Sequence, residues 1–127
     1  MAGRYVVVGA GAVGATVAAQ LHLAGIDVVL VARGQNLEAL RTKGLRYLRP
    51  DGARTLALPV VGGAGELALR AEDVLVLAVK SQDAEAALAD WAWQPVVVDG
   101  EERPAATVLP VVLMQNGLDT ARTALRR

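Results

Sequence analysis

The sequence contains no cysteine and no phenylalanine, one histidine (His22), and only two Trp and two Tyr. The missing cysteines exclude disulfides and thiolate chemistry. One histidine excludes a histidine-rich metal centre. Asp51, Asp73, Asp83 and Asp99 lack the paired spacing of a metal site or an acid–base dyad, so no metal is expected. Thirteen basic and thirteen acidic residues cancel to a formal net charge of zero. That balance argues against a nucleic-acid partner held by phosphate neutralisation. No uninterrupted apolar run approaches the ~20 residues of a transmembrane helix, so no membrane partner is expected. Arg4 followed by an Ala-rich stretch has the outline of a secretory signal, yet Gly9, Gly11 and Gly14 interrupt it. The chain reads as soluble and cytoplasmic.

Aliphatic residues are abundant instead. Hydrophobic residues make up 54% of the 127 positions, so Val, Leu, Ile and Ala must build the core. The length suits a single domain, residues 1–127.

The most informative stretch is Tyr5-Val6-Val7-Val8-Gly9-Ala10-Gly11-Ala12-Val13-Gly14. An apolar strand pattern runs directly into G-x-G-x-x-G, and a small-residue helix pattern follows, the context in which that motif signals dinucleotide binding. Gly9 permits the tight strand-to-helix turn, Gly11 leaves room for a pyrophosphate, and Gly14 lets the helix lie close to the sheet. The helix-start amides and the helix dipole favour phosphate charge. Gly9, Ala10, Gly11, Ala12, Val13 and Gly14 are therefore the expected cofactor cradle. A tight turn without a ligand is the alternative.

The rest of the chain alternates. Tyr5–Val8 and Asp27–Val31 read as strands, and Ala12–Ala24 as a helix with Val13, Val17, Leu21 and Ala24 on its apolar face. Asn36–Lys43 reads as a helix closed by Gly44. Leu45–Arg49, a turn at Pro50-Asp51-Gly52, and Thr55–Val61 suggest an antiparallel hairpin at one sheet edge. Gly62–Gly65 is a loop, Val74–Val79 a buried strand, and Ser81 the cap of a helix through Asp90. Trp91–Ala106 reads as an extended connection with a short strand at Val96–Val98, its tryptophans serving as packing anchors. Val108–Leu113 suggests another buried strand, and Leu118–Arg127 a last helix. This order implies a Rossmann-type, doubly wound, mostly parallel α/β sheet with an edge β-hairpin.

Ligands in such sheets bind beyond the carboxyl ends of the strands. The second strand ends in Val31-Ala32-Arg33-Gly34-Gln35, with no carboxylate to accept from a ribose 2′-hydroxyl. A guanidinium there can pair with a 2′-phosphate. Arg33 thus points to NADP(H) over NAD(H), against the plainer reading of a surface arginine in a chain with eleven Arg and two Lys. Lys80, after Val74–Val79, can bind ribose hydroxyls or an anionic substrate, or simply extend into solvent. Asn116, in Gln115-Asn116-Gly117, can orient a carbonyl or the nicotinamide ribose, or serve as a turn residue. His22 and Ser81 read as structural.

Gly9–Gly14, Arg33, Lys43-Gly44-Leu45, Val79-Lys80-Ser81 and Gln115-Asn116-Gly117-Leu118, in this order and spacing, resemble the N-terminal domain of the ketopantoate reductase (2-dehydropantoate 2-reductase) family. The resemblance implies that Gly9–Gly14 cradle the pyrophosphate and that Arg33 binds the 2′-phosphate. It implies that Lys80 and Asn116 surround the nicotinamide ribose, with Asn116 also near the substrate, a small 2-oxo acid. The family's reaction is hydride transfer from NADPH to the ketone of 2-dehydropantoate, giving pantoate for pantothenate and coenzyme A synthesis. Its catalytic lysine and substrate-binding glutamate belong to a helical C-terminal domain. No catalytic residue is therefore expected among these 127, which alone should not turn over efficiently. Two other readings remain: a stand-alone nucleotide-binding or sensing module, and an NADP-dependent reductase of another 2-oxo acid. Apolar surface where the helical domain would dock favours a homo-oligomer.

Overall fold

A computed structural model describes residues 3–114. The elements in chain order are β1 (Tyr5–Val8), α1 (Ala12–Leu23), β2 (Val28–Val31), α2 (Gly34–Lys43), β3 (Leu45–Arg49), β4 (Gly52–Leu56), β5 (Val60–Val61), β6 (Val74–Leu77), α3 (Ser81–Ala92), β7 (Pro95–Val98), β8 (Glu101–Pro104) and β9 (Val111–Leu113). Five strands form one sheet in the order β5-β2-β1-β6-β9. Every neighbouring pair in it is parallel. The chain moves outward from β1 through β2 to β5, then returns to the other side of β1 for β6 and β9. The order therefore reverses beside β1, where such sheets open a crevice.

Strand alternation divides the core into two layers. Val7, Leu30 and Val76 face a cluster that contains Ala18 and Ala19 of α1, Leu40 of α2, and Leu45 and Leu56 of the β3–β4 hairpin. Val6, Val8, Val31, Leu75 and Leu77 face the opposite cluster, with Trp91 of α3, Val96, Ala105 and Leu109. Coverage on both faces explains why β1, β2 and β6 are continuous aliphatic runs. The most buried α1 positions are Gly14, Ala18 and Ala19. The expected face of Val13, Val17, Leu21 and Ala24 is shifted, because small residues let the helix sit closer to the sheet, and Ala24 is exposed.

Several expected boundaries move for physical reasons. Thr55–Val61 is two strands: β4 ends at Leu56, and Val60–Val61 joins the main sheet parallel to β2. Pro59 lies between them and has no N–H to continue a ladder, while its carbonyl accepts from the Leu30 amide at 2.9 Å. The β3–β4 hairpin is consequently a two-stranded sheet of its own, packed against the core rather than bonded to the main sheet's edge. Ser81 opens α3 as its first helical residue, and Lys80 occupies the cap position. The last expected strand shortens to Val111–Leu113, exposed at all three positions, because β9 pairs with β6 on one side and Pro110 precedes it. The connection after Trp91 folds into the β7–β8 hairpin. Asp99 (φ 53°) and Gly100 (φ 82°) supply the positive dihedrals that a tight hairpin turn requires. Trp91 is a buried anchor, but Trp93 is 77% exposed and anchors nothing. The expected helix Leu118–Arg127 and Asn116 lie outside the described residues.

One ion pair ties the sheet at the end opposite the crevice. Asp73, fully buried, precedes β6, and Arg4 precedes β1. Arg4 donates from Nε to Asp73 Oδ1 at 3.0 Å and from Nη2 to Oδ2 at 2.7 Å. The Arg70 amide also donates to Oδ2 at 2.7 Å, so the carboxylate is well satisfied. Removing one partner of such a pair strands a buried charge, a loss of about 3–5 kcal/mol. Arg4→Ala is expected to lower unfolding free energy by about that amount in urea titrations; a change under about 1 kcal/mol, the range of an exposed pair, would contradict it.

Candidate cofactor-binding site

The glycine turn leaves β1 at the reversal of strand order. Gly9 adopts φ +112°, a region that side chains disfavour, and its amide donates to the Val31 carbonyl at 3.1 Å. Gly11 caps α1, and its carbonyl accepts from the Ala15 amide at 2.9 Å. No side chain caps this helix, and its first turn carries no acid. Its initial amides and positive dipole end are thus left for an anion.

Gly14 and Gly11 do different work. A Cβ on Gly14 would overlap the Gly9 carbonyl oxygen, so Gly14 is demanded by the protein's own packing. A Cβ on Gly11 would meet no protein atom within 4 Å. Packing gives no reason for a glycine at position 11; the cap position favours one, and a ligand lying against the backbone would demand one. Ala12 and Val13 form the first turn of α1 beside it.

A cleft of about 590 Å³ opens over this turn. Its floor is Val8, Gly9, Ala10 and Gly11. One wall is the end of β2 and the start of α2, with Val31, Ala32, Arg33 and Asn36. Gly62–Gly65, after β5, forms the rim. The opposite wall is Val79 and α3, with Asp83, Ala86, Ala87, Asp90 and Trp91. Arg33 caps α2, again with no side-chain cap and no acid in the first turn, and its side chain is exposed. A guanidinium and a helix N-terminus therefore meet at the wall beside the glycine turn. These residues fit a 2′-phosphorylated dinucleotide: donors for phosphates on one side, and room over the turn.

The structure brings Gly9, Ala10, Gly11 and Arg33 into the cleft. Ala12, Val13 and Gly14 follow directly in α1. Lys80 is exposed at the cap of α3 and is not among the lining residues. Sequence reading missed Asn36, the Gly62–Gly65 rim and the α3 wall. The glycine cluster and the Asp83/Asp90 spacing, two turns of one helix face, were the available signals. Among the described residues no three of His, Asp or Glu gather as a metal site, and no helix is long and apolar enough to cross a membrane.

Strand order, glycine turn and cleft together define a Rossmann-type α/β domain. The family model described as ketopantoate reductase PanE/ApbA matches residues 5–127. The chain belongs to this family. A 2-dehydropantoate 2-reductase of Mesorhizobium japonicum is 39% identical over 116 residues, covering 91% of this chain and 32% of that protein. A solved structure of a protein assigned as a ketopantoate reductase, from Ralstonia solanacearum MolK2, superposes with a TM-score of 0.72 at 35% identity, over 92% of this chain and 33% of that one. The 2-dehydropantoate 2-reductase of Methylococcus capsulatus gives 0.66 at 26% identity, over 97% and 37%. The chain thus spans about a third of the length of the relatives it matches.

Substitution of the two glycines is expected to differ in cost. Alanine usually stabilises a helix interior by about 1 kcal/mol over glycine. Gly14→Ala is nevertheless expected to lower the melting temperature, because of the Gly9 carbonyl. Gly11→Ala should lower it less, because a Cβ there meets no protein atom and only the N-cap preference for glycine over alanine is lost. A Gly14→Ala protein melting at or above the parent temperature would contradict this packing.

Proposed function

We propose that these 127 residues form the NADP(H)-binding part of a ketopantoate reductase. The observation that carries this reading is Arg33, which shares the cleft with the glycine turn and stands where an NAD-selective domain places a carboxylate. The pyrophosphate lies over Gly9–Gly11 and the α1 amides, and the 2′-phosphate pairs with Arg33 and the α2 N-terminus. When bound, NADPH supplies the hydride that converts the ketone of 2-dehydropantoate to pantoate. Lys80 and Asn116 are proposed for the nicotinamide ribose end, Asn116 also for the substrate. The proton donor and the other ligands of the keto acid are expected outside these residues, so this chain alone binds cofactor without efficient turnover. Its place is the cytoplasm, in pantothenate synthesis. Exposed Val111, Val112 and Leu113 of β9, with Met114 just after it, support association, either with a second copy or with the helical part of the enzyme.

Titration by isothermal calorimetry tests the cofactor choice. NADPH is expected to bind tighter than NADH, and Arg33→Ala to cut NADPH affinity about tenfold or more, the scale of one lost charge-assisted bond, while NADH changes little. Equal affinities of the parent chain for both cofactors would overturn Arg33 as the discriminator.

A further inference from the structure

Asn36 takes part in none of the roles assigned above, yet it bridges the two parts of the cleft. It is the third residue of α2, the helix that Arg33 caps. Its side-chain Nδ2 donates to the carbonyl oxygen of Ala10, the middle residue of the glycine turn, at 3.2 Å. A carbonyl only accepts, so the amide nitrogen of Asn36 must face it. The neighbours of Ala10 are already held through their own backbones: the Gly9 amide by Val31, and the Gly11 carbonyl by Ala15. Asn36 adds the hold on the residue between them.

That hold acts on a defined group. The Ala10–Gly11 peptide is trans and planar, so its carbonyl and its N–H point in opposite directions. Fixing the Ala10 oxygen therefore fixes the direction of the Gly11 N–H. This amide lies at the cap of α1, in the part of the turn where a Cβ would meet no protein atom. Without the bond the peptide plane can rotate, and the donor must be reordered each time an anion binds. We infer that Asn36 is a positioning residue: through the Ala10 carbonyl it presets the Gly11 amide for a pyrophosphate and locks the glycine turn to the helix that carries Arg33. This inference rests on the cofactor reading of the cleft.

The role separates from a direct contact by its selectivity. NADPH and NADH share the pyrophosphate and differ at the 2′-phosphate. Asn36→Ala is expected to raise the Kd of both by the same factor, about fivefold, the scale of one neutral hydrogen bond. Arg33→Ala instead separates the two. Asn36→Gln, which keeps an amide donor, should recover part of the loss, and Asn36→Leu should not. In the ligand-free protein, the Gly11 amide resonance in a ¹H–¹⁵N spectrum should move in Asn36→Ala. Loss confined to NADPH would mean that Asn36 touches the 2′-phosphate itself, and would overturn the proposal. So would unchanged Kd values, with or without a lower melting temperature, or a Gly11 resonance that stays in place. If the parent chain binds neither cofactor, the reading of the cleft fails, while the Gly11 resonance still decides whether Asn36 sets the turn.

Discussion

The Gly14–Gly9 approach governs the geometry of this molecule. Helix α1 lies so close to the end of β1 that no side chain fits between Gly14 and the Gly9 carbonyl. That closeness needs small residues further along the same face, and Ala18 and Ala19 provide them. It also places the first amides of α1 directly over the carboxyl end of the central strand. The proposed anion site is thus a by-product of how tightly helix and sheet pack. The Arg4–Asp73 pair secures β1 to β6 at the far end, leaving the crevice end to the glycine turn.

Around that turn the cleft is electrically uneven. The glycine turn, the α2 N-terminus and Arg33 present positive potential on one side. Asp83 and Asp90 line the α3 side. In a solvated cleft such interactions are small, about 1 kcal/mol for two charges 4 Å apart in water. Their sum still disfavours phosphates along α3 and favours them along the Arg33 wall. A dinucleotide bound as proposed would thereby be given a direction as well as a place, with the uncharged Ala86–Ala87 surface left for its flat parts.

The parts that sequence patterns revealed are those governed by local chemistry. β1, β2 and β6 are aliphatic runs buried on both faces, and the spacing of Gly9, Gly11 and Gly14 ties motif to turn. Helix α2 ends before Gly44 as its pattern implies. The parts that stayed hidden depend on distant partners. Arg4 and Asp73 are 69 positions apart, and nothing near either residue announces the other. Asn36 and Ala10 are 26 apart, and their bond exists only because β2 returns beside β1. Pro59 marks where the chain leaves the hairpin for the main sheet, a signal that was legible but outweighed by the apolar run around it. Asp99-Gly100 between Val98 and Glu101 is likewise a hairpin signal, obscured by the prolines on either side.

The phosphates of a 2′-phosphorylated dinucleotide are proposed to meet the protein at the glycine turn and at the start of α2. A ¹H–¹⁵N titration of the full chain with 2′,5′-ADP tests it most directly. Saturable shifts are expected at Gly11, Ala12, Arg33 and Gly34, with the β3–β4 hairpin around Leu48 and Gly52 unaffected. Shifts centred on the hairpin, or no shifts at millimolar ligand, would contradict it.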